Sequence, residues 1–304
     1  MRRGASTDAV AIRAAGGLGL ALAVLALAPG SALAAGADSP GVGVELSFTS
    51  DDNVNRGAEG DVLSDRVLGV RVTASAAVPL STRTRAVILG LAGTERFNTY
   101  SGLSRNFIGA QGDFKYRSAG EFGAATWGAF VRTAAEYYES DLRDGYRHAF
   151  GVNVVKPMTD RLQVFGALAG NITDGSSTVF DTKNVSLRGN ADWSFTRSDV
   201  AYLGIEYRQG DIVSSMLPTL ATAGIPDNIP DDAFDDGRVA YRFKARVWIT
   251  TLGYNHAFGA RHSLDLVWRR AQASALDPES STSYSASDLR YVVNQFSLAY
   301  LARF

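Results

Sequence analysis

Cysteine is absent from the 304 residues. That excludes a disulfide scaffold, a thiolate metal site, a cysteine nucleophile and a lipid anchor on a processed N-terminal cysteine. Histidine is scarce, and the three present, His148, His256 and His262, are too scattered to suggest a metal site or a serine–histidine triad. His148 has Ser140 and Asp144 near it in a loop of ordinary composition, and it reads as a polar residue at an interface. An excess of one charge is also missing: 30 basic residues stand against 31 acidic ones. Such a balance argues against a nucleic-acid partner. No motif calls for a cofactor. Long apolar runs are lacking after residue 34, where the longest uncharged stretch, 212–226, contains Pro218 and Pro226 and makes a poor spanning helix. Only 8 prolines and an apolar fraction of 46% nevertheless describe a folded chain.

What is present begins with a targeting signal. Arg2, Arg3 and Arg13 form a positive n-region, residues 14–28 an apolar run, and Ala32-Leu33-Ala34 a cleavage site. Residues 1–34 are therefore read as a signal peptide and residues 35–304 as one exported domain. Removing the signal leaves 27 basic and 30 acidic residues, because it holds those three arginines and Asp8.

The exported domain alternates with a period of two. From 183 to 195, one face reads Val185, Leu187, Gly189, Ala191, Trp193 and Phe195; the other reads Asn184, Ser186, Arg188, Asn190, Asp192 and Ser194. Alternation places these sets on opposite faces of a sheet. Twelve such strands are expected, at 42–51, 66–79, 85–99, 104–117, 124–138, 146–156, 161–173, 182–195, 199–211, 240–257, 262–273 and 288–304. They are longer than the roughly 5–6 residues usual in soluble sheets, and about 9–11 tilted residues cross a bilayer. Short connections alternate with longer ones, giving five turns and six loops with both termini on the turn side. This predicts an all-β, transmembrane, antiparallel up-and-down barrel with short periplasmic turns and longer external loops.

Facing follows from the alternation. Outward sets include Val42/Val44/Leu46/Phe48, Val87/Leu89/Leu91 and Leu264/Leu266/Trp268, and a β-bulge is expected near Thr250, where the pattern of strand 240–257 slips. Trp127, Trp193, Tyr202 and Phe304 are assigned to a periplasmic aromatic girdle, and Phe97, Tyr137, Tyr138 and Tyr146 to an outer one.

The last residues, Phe296-Ser297-Leu298-Ala299-Tyr300-Leu301-Ala302-Arg303-Phe304, resemble the terminal strand of Gram-negative outer-membrane proteins. That resemblance implies that Phe296, Leu298, Tyr300 and Phe304 form the signal read by the barrel-assembly machinery. Turns 79–83 and 156–161 look like porin-type periplasmic turns. The stretch Asp51-Asp52-Asn53-Val54-Asn55 is similar to one that follows the first strand in porin-like barrels and in the barrel of the surface lipoprotein assembly modifiers. Those modifiers carry a helical repeat domain ahead of the barrel, whereas about seven residues separate Ala34 from the first strand here.

The expected lumen is basic. Arg71, Arg105, Lys115, Arg117, Arg132, Arg147, Arg188, Arg208, Arg242, Lys244, Arg246 and Arg269 are assigned inward, against Glu45, Asp113, Glu136, Asp192, Glu206 and Asp265, a balance of +6. Arginine ladders in a tube attract anions, and the competing reading is a network of luminal ion pairs in a closed barrel. Twelve strands give a backbone diameter of roughly 24 Å and a bore of about 10–12 Å if no loop folds in. Gly90, Ala92, Gly109, Gly128, Ala149, Gly151, Ala167 and Ala169 are read as small luminal residues that leave this room. In the long loop 212–239, the apolar part 212–225 is expected to fold over or into the mouth as a constriction. The loop's Asp227, Asp231, Asp232, Asp235 and Asp236 are candidate ligands for a divalent cation, although their spacing is not that of an EF-hand.

The function these readings favour is a porin-like, non-enzymatic channel for small anionic solutes. The alternatives are export or surface assembly of a lipoprotein or polysaccharide, and a non-conducting structural or adhesive barrel. Expected partners are outer-membrane lipids and lipopolysaccharide, the barrel-assembly machinery and the solutes themselves.

Overall fold

The computed structural model describes residues 41–218, 227–276 and 289–304. The expected signal peptide lies outside these residues, as do parts of the loops at 212–239 and 274–287. Twelve strands form the wall: β1 (Gly41–Asp51), β2 (Asp65–Pro79), β3 (Thr84–Phe97), β4 (Arg105–Arg117), β5 (Thr126–Tyr138), β6 (Gly145–Pro157), β7 (Leu162–Gly175), β8 (Thr182–Ser194), β9 (Asp199–Met216), β11 (Val239–Ala257), β12 (His262–Ala275) and β13 (Tyr291–Arg303). A three-residue strand, β10 (Asn228–Pro230), belongs to the loop between β9 and β11.

Each wall strand pairs antiparallel with its chain neighbours, and β1 pairs with β13 from Gly43↔Arg303 to Asp51↔Gln295. The barrel is therefore closed. Closure satisfies the backbone without water and removes both sheet edges. The outer wall carries Leu68, Ile108, Val131, Leu187 and many other exposed apolar side chains. A continuous apolar exterior of this extent belongs in a bilayer rather than in water. No helix among the described residues is long and apolar enough to cross a membrane.

Strand β8 follows its alternation residue by residue, with Val185, Leu187, Gly189 and Trp193 outward and Ser186, Asn190 and Asp192 buried inward. Strand β3 is reversed. Val87 and Leu91 are 1% and 5% exposed and face the interior, while Ile88 is 61% exposed. Gly90 and Ala92 lie on the lipid side, not in the lumen. The run from Ala86 to Ala92 is apolar on both faces, so period two carried no contrast there. Its polar end settles the facing: Glu95 turns inward to Arg105, and Arg96 is exposed.

Strand β11 has no bulge. Its register runs unbroken from Val239↔Met216 to His256↔Asp199 against β9, and from Ala245↔Ala275 to Ala257↔Ser263 against β12. Ala245, Val247 and Ile249 face inward and pack with Ile212, Ala273, Tyr291 and Val293. Gly253 lies opposite Tyr202, and a Cβ there would run into the ring. The missing side chain lets Tyr202 cross inward to donate to Asp265 at 2.8 Å. Tyr202 is thus luminal, and Phe97 and Tyr138 are also buried, so none of the three belongs to a girdle. Trp127, Trp193, Tyr137, Tyr146 and Phe304 do face out.

Candidate functional site

The external loops build one structure across the barrel mouth. Strand β9 runs five residues past its expected end at 211. Its last pairing with β8 is at Gly210, where φ is +141° and a Cβ would run into the Lys183 carbonyl. Only glycine fits such a bend without strain. Beyond it, the chain exchanges hydrogen bonds with the 52–64 loop: Ser215 N–H donates to the Asn55 carbonyl at 2.9 Å, and the side-chain Nδ2 of Asn55 donates to the Ser215 carbonyl at 3.0 Å.

The returning segment, 227–238, touches loops from around the rim. Phe234 and Ala233 pack with Val54, Phe97 and Leu103, while Ile229 packs against Val179 and Phe180. Asp231, 3% exposed, receives Arg143 on both oxygens and also the Ser215 hydroxyl. The Arg143 guanidinium lies over the Phe180 ring at 4.6 Å. Arg238 reaches Asp61 at 2.7 Å and Asp236 at 2.8 Å. In the 139–144 loop, burial raises the Asp144 carboxyl above its ordinary value despite the Tyr138 amide it accepts.

These contacts correct the reading of the loop carboxylates. Asp231 and Asp236 pair with arginines, Asp232 accepts from Ser140, and Asp227 pairs with Arg242 at 2.6 Å. No group of three metal-ligating side chains gathers among the described residues. The histidines are separate too: His148 meets Thr133, His256 meets Asp199 and His262 meets Tyr300. Of the stretch expected over the mouth, 212–225, the part to Met216 continues β9 and 219–226 lie outside the described residues; the segment that packs against the rim loops is 227–238.

The motif Asp51-Asp52-Asn53-Val54-Asn55 ties this mouth to the seam of the barrel. Arg56 has a positive φ of 56° and is held by Asp51 at 2.9 and 3.0 Å. Asn53 Nδ2 donates to the carbonyls of Gly57 and Val292, and Asp52 accepts from Asn294. A loop joining β1 and β2 is thereby fastened to β13, the strand that closes the wall.

Below the mouth, arginines from six strands face the interior: Arg71 (β2), Arg132 (β5), Arg147 (β6), Arg188 (β8), Arg208 (β9) and Arg269 (β12). Arg132, Arg147, Arg188, Arg208 and Glu206 line a cavity of about 140 Å³ whose lining also includes Phe180, Ile212 and Val213 of the mouth. Some cations are balanced: Arg71 by Glu45 at 3.6 Å, Arg147 by Glu136 at 2.9 Å and Arg208 by Glu206 at 2.6 Å. Arg105 is fully buried between Glu95 and Glu136. Arg132 and Arg269 differ. Among the described residues their side-chain partners are amides: Gln111 takes Arg132 Nε at 2.6 Å, and Gln295 takes Arg269 Nη1 at 2.9 Å. Arg132 also feels the like charges of Arg71, Arg147 and Arg188 and the opposite charge of Asp113, which the same Gln111 contacts.

No family profile and no curated relative matches the chain. Solved structures do. An outer-membrane channel from Pseudomonas putida F1 is 12% identical, with 88% of this chain and 96% of that one covered and a TM-score of 0.53. The fold is that of an outer-membrane β-barrel. The NanC porin (9% identity, 86% and 100% covered, TM-score 0.46) and the KdgM porin in complex with disordered oligogalacturonate (9%, 86% and 99%, 0.45) also match. Identities this low carry over the barrel and nothing about a solute.

Four expected pore residues of this barrel lie outside the lumen. Lys244 and Arg246 are exposed on the outward face of β11, alternating with the buried Ala245 and Val247. Arg242 shares their facing and is bound at the mouth by Asp227 and the Asp181 carbonyl. Arg117 lies at the turn end of β4, exposed, with Nη2 3.1 Å from the Glu121 carbonyl. Removing these four cations from the expected luminal set and adding Arg85 and Glu95 of the reversed β3 lowers its balance from +6 to +2. Sequence reading also missed Arg143, Arg238 and Phe180, whose partners are remote in the chain.

Proposed function

We propose that this barrel is an outer-membrane channel for small anionic solutes, with the belt of luminal arginines as its selective element and the 227–238 segment as an external constriction. The observation that carries the reading is the pair Arg132 and Arg269, half-buried luminal cations whose side-chain hydrogen-bond partners among the described residues are neutral amides. Burying an uncompensated charge costs several kcal/mol. Water in the lumen relieves that cost, and a passing anion relieves it further. Converging arginines in a low-dielectric tube raise the local concentration of anions and repel cations. No reacting group is required by this arrangement, so the reading is of a passage rather than an enzyme.

The packed mouth favours one other reading, a structural barrel that does not conduct. Liposome swelling separates the two. Proteoliposomes holding the full chain are expected to swell faster in small anionic sugars than in neutral sugars of equal size. The absence of swelling in any solute, for the parent and for a variant with a loosened mouth, would support the structural reading instead.

A further inference from the structure

Of the outward cations of β11, Arg242 pairs with Asp227, whereas Lys244 and Arg246 have no role in the lumen and make no ion pair with any described residue. Their surroundings are polar on an otherwise apolar wall. Arg246 lies opposite Gln209 on β9 and Ser274 on β12. Lys244 lies opposite Asp211, whose Oδ2 accepts the Lys183 amide at 3.1 Å. Arg270 is outward on β12, with Nη1 3.3 Å from Asn294 Oδ1.

The height of this patch is set by aromatics. Trp248, exposed, lies two residues from Arg246 and packs on Tyr207 with ring centroids 4.9 Å apart. Tryptophan and tyrosine on an outer wall mark the level of the lipid headgroups. At about 3.4 Å per residue and a tilt near 40°, Arg246 and Lys244 stand roughly 5 and 10 Å above Trp248. Below it the wall is apolar again, with Leu187, Ile205 and Leu252 exposed. Cations above an apolar surface match an amphiphile whose anionic head sits over acyl chains.

We propose that Lys244 and Arg246 form a site on the outer wall for the phosphate groups of a phosphorylated glycolipid of the outer leaflet. The proposal rests on the outer-membrane placement and is independent of conduction. A second copy of the chain fits less well, because a two-fold contact would bring the cations against themselves.

The test uses the purified full chain, freed of native lipid, titrated with bis-phosphorylated lipid A and followed by native mass spectrometry. Tight binding is expected for lipid A, and weaker binding for dephosphorylated lipid A, phosphatidylglycerol and inorganic phosphate. Each basic residue near a charged headgroup layer contributes about fivefold, so Lys244→Ser with Arg246→Ser should weaken binding about thirtyfold. Lys156→Ser, outward at the opposite rim, should leave it unchanged. Single changes Lys244→Gln and Arg246→Gln, about fivefold each, keep the test decisive if the double variant fails to fold. Equal affinity in parent and variants would overturn the proposal. So would equal binding of dephosphorylated lipid A, of phosphatidylglycerol or of inorganic phosphate, or a dimer of the parent that the double variant loses.

Discussion

Replacing Asp231 by alanine removes the anion that pins the 227–238 segment across the barrel mouth. Its carboxylate accepts Arg143 on both oxygens and the Ser215 hydroxyl, and Ala233 N–H reaches it at 3.2 Å. The substitution leaves Arg143, 3% exposed, without its counter-charge and with only the faces of Phe180 and Phe234 nearby. Breaking a buried pair in this way costs about 3–5 kcal/mol. At about 1.4 kcal/mol per tenfold, that shifts the balance between a closed and a loosened mouth by two to nearly four decades. The cost falls on the loops, because the hydrogen-bond ladder of the wall does not involve these groups. Asp231→Ala should therefore keep its heat-modifiable migration, become cleavable by protease within 227–238 and conduct more current in a planar bilayer than the parent. A buried ion pair can be exchanged for apolar side chains at little net cost, so Asp231→Leu with Arg143→Met should restore much of the protease resistance. A single variant as resistant and as conductive as the parent would refute the latch.

Gly210→Val should strain the bend where β9 leaves β8, given its φ of +141° and the Lys183 carbonyl in the space a Cβ would take; a cost of about 1–3 kcal/mol should appear as faster hydrogen exchange at 211–216, and parent-like protection would remove the strain argument. Leu187→Arg places a charge on the lipid face and should destabilise the barrel by about 2–4 kcal/mol if Leu187 lies at the midplane, read by denaturant titration in liposomes. An unshifted midpoint would mean that β8 faces the other way. Deleting Phe304, exposed at the end of the terminal strand, should lower outer-membrane levels in cells; unchanged levels of heat-modifiable barrel would sink its role in assembly.

Legibility in the sequence tracked contrast between faces. Strand β8 could be read residue by residue because every polar side chain of Asn184–Asp192 falls on one face. Strand β3 could not, because Ala86–Ala92 is apolar on both faces and the facing rests on packing inside the barrel. Strand β11 misled for a different reason. Its outer part stands above the apolar band of the wall, where an outward residue no longer needs to be apolar, so Lys244 and Arg246 look luminal by the rule that holds lower down. The mouth was legible only as a tendency. The apolar stretch after 211 signals burial, but Arg143 and Asp231 are 88 residues apart, and Asn55 and Ser215 are 160 apart. Nothing local to either member specifies such a pairing. The Asp51–Asn55 motif was visible by resemblance, yet its work as a clasp between β1, β13 and the tip of β9 emerges only when those strands are placed together.

The claim that the luminal arginines form an anion path is tested most directly by the reversal potential of the purified barrel in a planar bilayer under a potassium chloride gradient. The account predicts a measurable current with a reversal potential on the chloride side, moving toward zero in Arg132→Gln with Arg269→Gln while the barrel stays folded. A potassium-side reversal potential in the parent, or one that the double variant leaves unmoved, would contradict it.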